Sequence, residues 1–248
     1  MPSLNRLAGA GVLAAAAVVT ATACSSSSSS SSSTSALAGL SPDQIVQKSV
    51  ADLKAASSVR ITGKAVNSGQ TIALDLTDVA AKGCQGTIGL AAPATSSTKA
   101  VSGTANIIEV DSIVYMKLDE SFFKSAGLPS SEFSSVDGKY IKLTSTSDLA
   151  SFAQLCNPST LAGAFAKEDT GFVKSRTATV NGQAALGFTQ PKNPSNGTVY
   201  VSDSATPQIL RIAGPANEGT IDFTDYNAHA TITAPPASEV VDGSQFGL

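Results

Sequence analysis

The chain has 248 residues, 42% of them hydrophobic and 14% charged, and it carries a net charge of −3. That length suits one generous domain or at most two, and the missing basic field argues against nucleic acid as a partner. One histidine and three cysteines likewise argue against a His-based zinc site. With no Trp, 4 Tyr and 9 Phe, any core is built mostly from small and aliphatic side chains.

Residues 1–23 have the anatomy of a secretion signal. Arg6 supplements the amino terminus, and the apolar stretch from Leu7 to Thr20 is too short to span a bilayer as a mature helix. Ala21-Thr22-Ala23-Cys24 resembles a bacterial lipobox with Ala21 where Leu is commonest. In such a box Cys24 is diacylated on sulfur and becomes the first mature residue. The other reading is an ordinary secreted protein with an incidental cysteine. The adjoining segment favours anchoring: Ser25 to Ser33 are nine consecutive serines, a polar run that buries nothing and behaves as a flexible tether. Two acyl chains on one cysteine anchor stably where one is marginal. Residues 24–40 are therefore expected to be the lipidated cysteine and tether. Residues 41–248 are expected to be one folded domain on the extracytoplasmic face of the cell membrane.

Ser41-Pro42-Asp43-Gln44 reads as a helix start, with an N-cap serine, proline at the first position and Gln at the capping-box position. Val46, Val50 and Leu53 then repeat at helical spacing, so a helix is predicted to about Ala56. Strand signals come next. Val59, Ile61, Gly63 and Ala65 alternate with polar neighbours, as do Ile72, Leu74 and Leu76. Thr104–Val110 and Ile113–Leu118 flank Asp111-Ser112, a two-residue hairpin turn, and Asp137-Gly138 precedes a short strand from Tyr140. Between these strands, Asp119 is placed to cap a turn carrying Phe122 and Phe123. Ser147 is placed to cap a segment with Leu149, Phe152 and Leu155, and Asn157-Pro158 to start a helix with Leu161 and Phe165. Asn181-Gly182 is the strongest hairpin signal, and further strands are predicted at 198–201, 208–212, 219–226 and 228–233. Short connections imply antiparallel neighbours. The predicted class is α+β: a strongly curved antiparallel sheet with a few helices on one face.

With Cys24 lipidated, Cys84 and Cys156 remain, and an exported domain most simply pairs them. Two reduced buried thiols are the other possibility.

Catalysis finds little support. A Ser–His or Cys–His site would have to use His229, whose plainer reading is an exposed strand histidine. No nucleophile elbow, phosphate-cradling loop or EF-hand spacing is present. Asp222 and Asp225 face opposite ways on a regular strand. Asn196-Gly197-Thr198 reads as a turn rather than a glycosylation site. No cofactor or metal is implied.

Three stretches carry a resemblance. Val114-Tyr115-Met116-Lys117, Phe122-Phe123 and Gly138-Lys139-Tyr140-Ile141-Lys142-Leu143 form one progression. Gly197 to Val201 with Pro207 to Ile212 form a second, and Phe223 to Tyr226 with Pro235-Pro236 and Val240-Val241-Asp242 a third. Together they resemble the LppX/LprA/LprF/LprG group of actinobacterial cell-envelope lipoproteins across roughly residues 41–242. Tyr140 stands where that group commonly has Trp. The resemblance implies a half-barrel sheet like that of the LolA/LolB lipoprotein carriers, its concave face covered by helices. It also implies an apolar cavity for the acyl chains of an envelope lipid or glycolipid, and no covalent chemistry. The residues expected at such a cavity are Phe122, Phe123, Phe152, Leu155 and Phe165 on the helical side, opposite Ile72, Leu74, Leu76, Val114 and Met116. A ligand of mostly methylene needs only apolar walls, at about 0.8 kcal/mol per buried CH₂. The same residues would also write a filled core, so one alternative is a structural or interaction lipoprotein with no ligand; a second is a hydrolase using two carboxylates that the sequence alone does not pair.

Overall fold

In a computed structural model, residues 37–246 are described apart from 68, 95–99, 126, 145, 146, 166–169, 216 and 217, and without the side chains of 67, 148, 161, 162, 164 and 165. The leader, Cys24, the serine run and the side chain of Phe165 thus lie outside the described residues.

The first helix, α1 (Pro42–Ala55), is nucleated as its sequence indicates: the Ser41 hydroxyl accepts from the Gln44 amide, and the Gln44 side chain accepts from the Ser41 amide. Its buried residues are Ile45, Val46, Ser49 and Leu53, and the Ser49 hydroxyl satisfies itself by donating to the Val46 carbonyl. The chain then meanders through β1 (Ser58–Asn67), β2 (Gln70–Val79), β3 (Gly83–Ala92), β4 (Val101–Val110) and β5 (Ile113–Leu118). After β5 come α2 (Glu120–Ser125), α3 (Phe133–Val136) and the short β6 (Tyr140–Lys142). A 3-10 segment (Asp148–Cys156) and α4 (Pro158–Phe165) come after it. A second meander runs through β7 (Val173–Val180), β8 (Gln183–Thr189), β9 (Thr198–Ser202), β10 (Ile209–Ala213) and β11 (Gly219–Thr224), and β12 (Val240–Asp242) closes the chain.

All twelve strands form one open sheet in the order β12-β6-β5-β4-β3-β2-β1-β11-β10-β9-β8-β7. The two meanders are joined by antiparallel pairing of β1 with β11. Only β12 runs parallel to its neighbour, β6. Because neighbouring side chains alternate between faces, the register lays apolar rows across one face. One row runs Phe223, Ile61, Leu76, Gly86, Ile107, Met116 and Ile141; all but Gly86 are among the most deeply buried side chains. Gly63 and Gly86 adopt φ +138° and +153° in mid-strand, where an added Cβ would run into the carbonyl oxygens of Thr220 and Asp75. Glycine alone tolerates this backbone, and such positions let strands bend. The sheet curves around its apolar face.

Helices cover that concave face. α1 packs over β9, β10 and the start of β7 and against α4; the 3-10 segment lies over β2 and β3; α2 lies on β4 and β5. On the convex face the guanidiniums of Arg60 and Arg211 fork onto Asp75 and Asp222, and Val180, Ala185, Tyr200 and Leu210 form a small separate apolar cluster.

One sequence expectation needs correction. Residues 228–233 are not a strand. β1 already has β2 and β11 as neighbours, and Asp225 and Asn227 turn left-handed at the end of β11, so the chain leaves the sheet as a strap. The strap is held instead by the Ser58 hydroxyl donating to Ala228 O at 2.6 Å and by Asn227 Oδ1 accepting from the Ser57 amide at 2.8 Å. The segment capped by Ser147 is a 3-10 run. Two strands, β3 and β12, lie outside the sequence expectations.

Candidate functional site

Between sheet and cover lies a continuous apolar layer. Leu74 and Leu76 come from β2, Val114 and Met116 from β5, and Phe122 and Phe123 from α2. All six are buried, and Ile72, Phe152 and Leu155 pack against them half-buried. The structure therefore brings together nine of the ten expected cavity residues; for Phe165 only the backbone, at the end of α4, is described. Local chemistry sets the helical side. Asp119 Oδ1 accepts from the Phe122 amide at 2.7 Å, while its Oδ2 accepts from the amide and hydroxyl of Thr104 on β4. Burial alone would raise the Asp119 carboxyl, but these hydrogen bonds outweigh it and hold the group below the usual carboxylate range. One carboxylate thus starts α2 and pins it to the sheet, turning both phenylalanines inward. Phe122 meets Phe152 edge to face, with ring centroids 5.9 Å apart. That contact joins α2 to the 3-10 segment across the layer.

The cover has one covalent link to the sheet. Cys84 on β3 and Cys156 at the end of the 3-10 segment form a disulfide with a Cα separation of 5.3 Å. Asn157 comes directly after it, and its Oδ1 accepts from the amides of Ser159 and Thr160 to start α4.

Among the described residues, solvent-open clefts border this layer, and three of them are lined by none of the ten expected cavity residues. One, of about 630 Å³, lies at the joint between the 3-10 segment and α4. Its walls are the end of α1, the β2–β3 and β4–β5 turns, and residues 153, 154 and 156–160. Its floor holds two acids that the sequence reading passed over. The register places Val59, Asp78, Cys84, Glu109 and Val114 side by side across five strands on the concave face. Asp78 and Glu109 therefore bracket the disulfide. Burial, and then the neighbouring Glu109 charge, pushes Asp78 up to about 6; burial raises Glu109 as well. Among the described residues neither carboxylate has a hydrogen-bond or ion-pair partner, although Lys54 and Lys82 line the same cleft. The signal was legible: Asp78 shares parity with Leu74 and Leu76, and Glu109 with Ala105 and Ile107, so each acid occupies a position that alternation reserves for an apolar side chain.

Two carboxylates with raised affinity for protons are the raw material of acid–base chemistry. Here they stand two strands apart with Cys84 between them, and no aromatic side chain lines the cleft to carry a sugar ring. A second cleft, on the convex face, gathers His229, Asp225, Arg60 and Asp75 beneath the strap. His229 is exposed there. The nearby Ser58 hydroxyl donates to Ala228 O rather than to His229. Among the described residues no cluster of three or more His, Cys, Asp or Glu side chains could hold a metal ion, and no helix is long and apolar enough to cross a membrane.

No family model matches the sequence, and no curated protein matches it. Among solved structures the chain is similar to LprF from Mycobacterium bovis, at 14% identity and a TM-score of 0.48, over 78% of this chain and 96% of that one. A DUF1329 family protein from Desulfovibrio piger is more distant, at 10% identity and a TM-score of 0.25, over 77% of this chain and 96% of that one.

Proposed function

We propose that this protein is a lipid-anchored, extracytoplasmic carrier that shelters the acyl chains of an envelope lipid or glycolipid between its curved sheet and its helical cover. The observation that carries the reading is the cover itself. It is made of short helical pieces, joined to the sheet by one disulfide, by hydrogen bonds of Asp119 and Ser125 to β4 and by side-chain packing, over a layer in which Ile72, Leu90, Phe152 and Leu155 remain half-buried. Separating such pieces from the sheet breaks apolar contacts but no strand pairing, and acyl chains replace those contacts in kind. The resemblance of the three sequence stretches to the LppX/LprG group, and the leader with Cys24 and its tether, support the same reading. No covalent chemistry is assigned.

A second reading, a structural lipoprotein with a permanently filled core, is favoured by the complete burial of Leu76, Met116 and Phe123. Leu74→Trp separates the two. In a filled core the added ring overpacks and costs typically about 1–3 kcal/mol. In a layer that opens for lipid it takes up ligand space instead. The carrier reading expects co-purified lipid to fall with the melting temperature nearly unchanged. A lowered melting temperature, with lipid absent from the parent as well, would support the structural reading.

A further inference from the structure

The floor of the 630 Å³ cleft sets two carboxylates where an otherwise apolar face meets the joint of its cover. The next row in from Asp78 and Glu109 is Leu76, Gly86 and Ile107, without a polar side chain. Between the two acids, Cys84 carries the one covalent link to Cys156. We propose that Asp78 and Glu109 form a proton-operated latch on the seam between sheet and cover: protonated, they let residues 148–160 settle on the sheet; ionised, they repel one another and draw water into the cleft, loosening the cover around its disulfide.

The charged groups facing the pair come from every wall. Lys54 comes from the last turn of α1, Lys82 from the β2–β3 turn and Asp111 from the β4–β5 turn, while among the described residues the polar side chains that the cover contributes are the neutral Gln154, Asn157, Ser159 and Thr160. Neither lysine forms an ion pair with Asp78 or Glu109, so among the described residues no cation clamps the acids in their charged form. The apolar row behind them disfavours that form, and burial accordingly raises both. A carboxyl that binds protons more tightly in the closed state loses that advantage as pH rises through its closed-state value. The closed state is therefore favoured below about pH 6 and weakened above it. The latch stands independently of the carrier reading, because it concerns the seam and not what lies beneath it.

The test is amide hydrogen exchange of the full-length chain, purified in detergent with its disulfide intact, at about pH 5 and about pH 7.5. Rates are corrected for the intrinsic pH dependence of exchange. Opening of residues 148–156 should rise by roughly tenfold at the higher pH, the factor that one pKa unit of linkage supplies. The double variant Asp78→Asn, Glu109→Gln should stay closed at both values, and Asp111→Asn should respond like wild type. An unchanged response in the double variant, or none in wild type, overturns the latch. Should the double variant fail to fold, the wild-type Asp78 carboxyl is followed by carbon-13 titration. A midpoint near 6 is expected, and one in the ordinary aspartate range overturns the proposal.

Discussion

Asp119 shows how much of the interior depends on one polar side chain. It accepts hydrogen bonds from the start of α2 and from Thr104 on β4, so two elements lose their alignment if it goes. Asp119→Ala should cost about 1–2 kcal/mol near pH 7, as losing a strong N-cap does. The sign of its pH dependence comes from the lowered carboxyl. The stabilisation is present above the ordinary aspartate range and is lost as pH falls through the lower folded value. Urea titrations of wild type and variant should therefore converge towards pH 2; a gap that persists there would mean that the carboxylate charge is not what matters. Arg211 and Asp222 make a comparable two-pronged contact on the convex face, but they align only strands that the backbone ladder already aligns.

Among the elements, the helical cover has one covalent link to the sheet, a disulfide that spans 72 residues. In the chain-entropy picture such a link is worth roughly 4 kcal/mol. The variant Cys84→Ser, Cys156→Ser should lose much of that in denaturant unfolding. Under limited proteolysis it should be cut first within residues 144–170. Cleavage elsewhere, or unchanged stability, would show that packing alone seats the cover. Elements fixed by local chemistry were legible in the sequence. α1 carries a complete capping box, and the Asp111-Ser112 and Asn181-Gly182 turns adopt the left-handed backbone their residue types tolerate. Elements fixed by distant partners were not. β3 is rich in glycine and alanine, so its alternation is faint, and only β2 and β4 on either side make it a strand. β12 exists by pairing with β6 a hundred residues earlier, and residues 228–233 alternate like a strand but meet no free edge. The expected cavity residues were legible as apolar faces. The acids between them were missed because alternation was read for its apolar members and not for the two positions where it fails.

For the molecule as a whole, the described residues begin at 37, after the serine run. Nothing in a run of serines can contribute to a core. Cys24→Ser should therefore move the protein from the membrane to the soluble fraction with its melting temperature unchanged; a variant that stays with the membrane would contradict the anchor. The open sheet gives the protein one broad apolar face, and the separate pieces of the cover are what would let a ligand in. The most direct test is the lipid content of the full-length protein, purified from the membrane of a lipid-rich host and extracted under denaturing conditions for mass spectrometry. The account predicts an acyl lipid, near one equivalent per chain and distinct from the covalent anchor on Cys24, that is lost from Leu74→Trp. An extract of the parent holding no more lipid than that variant would contradict it.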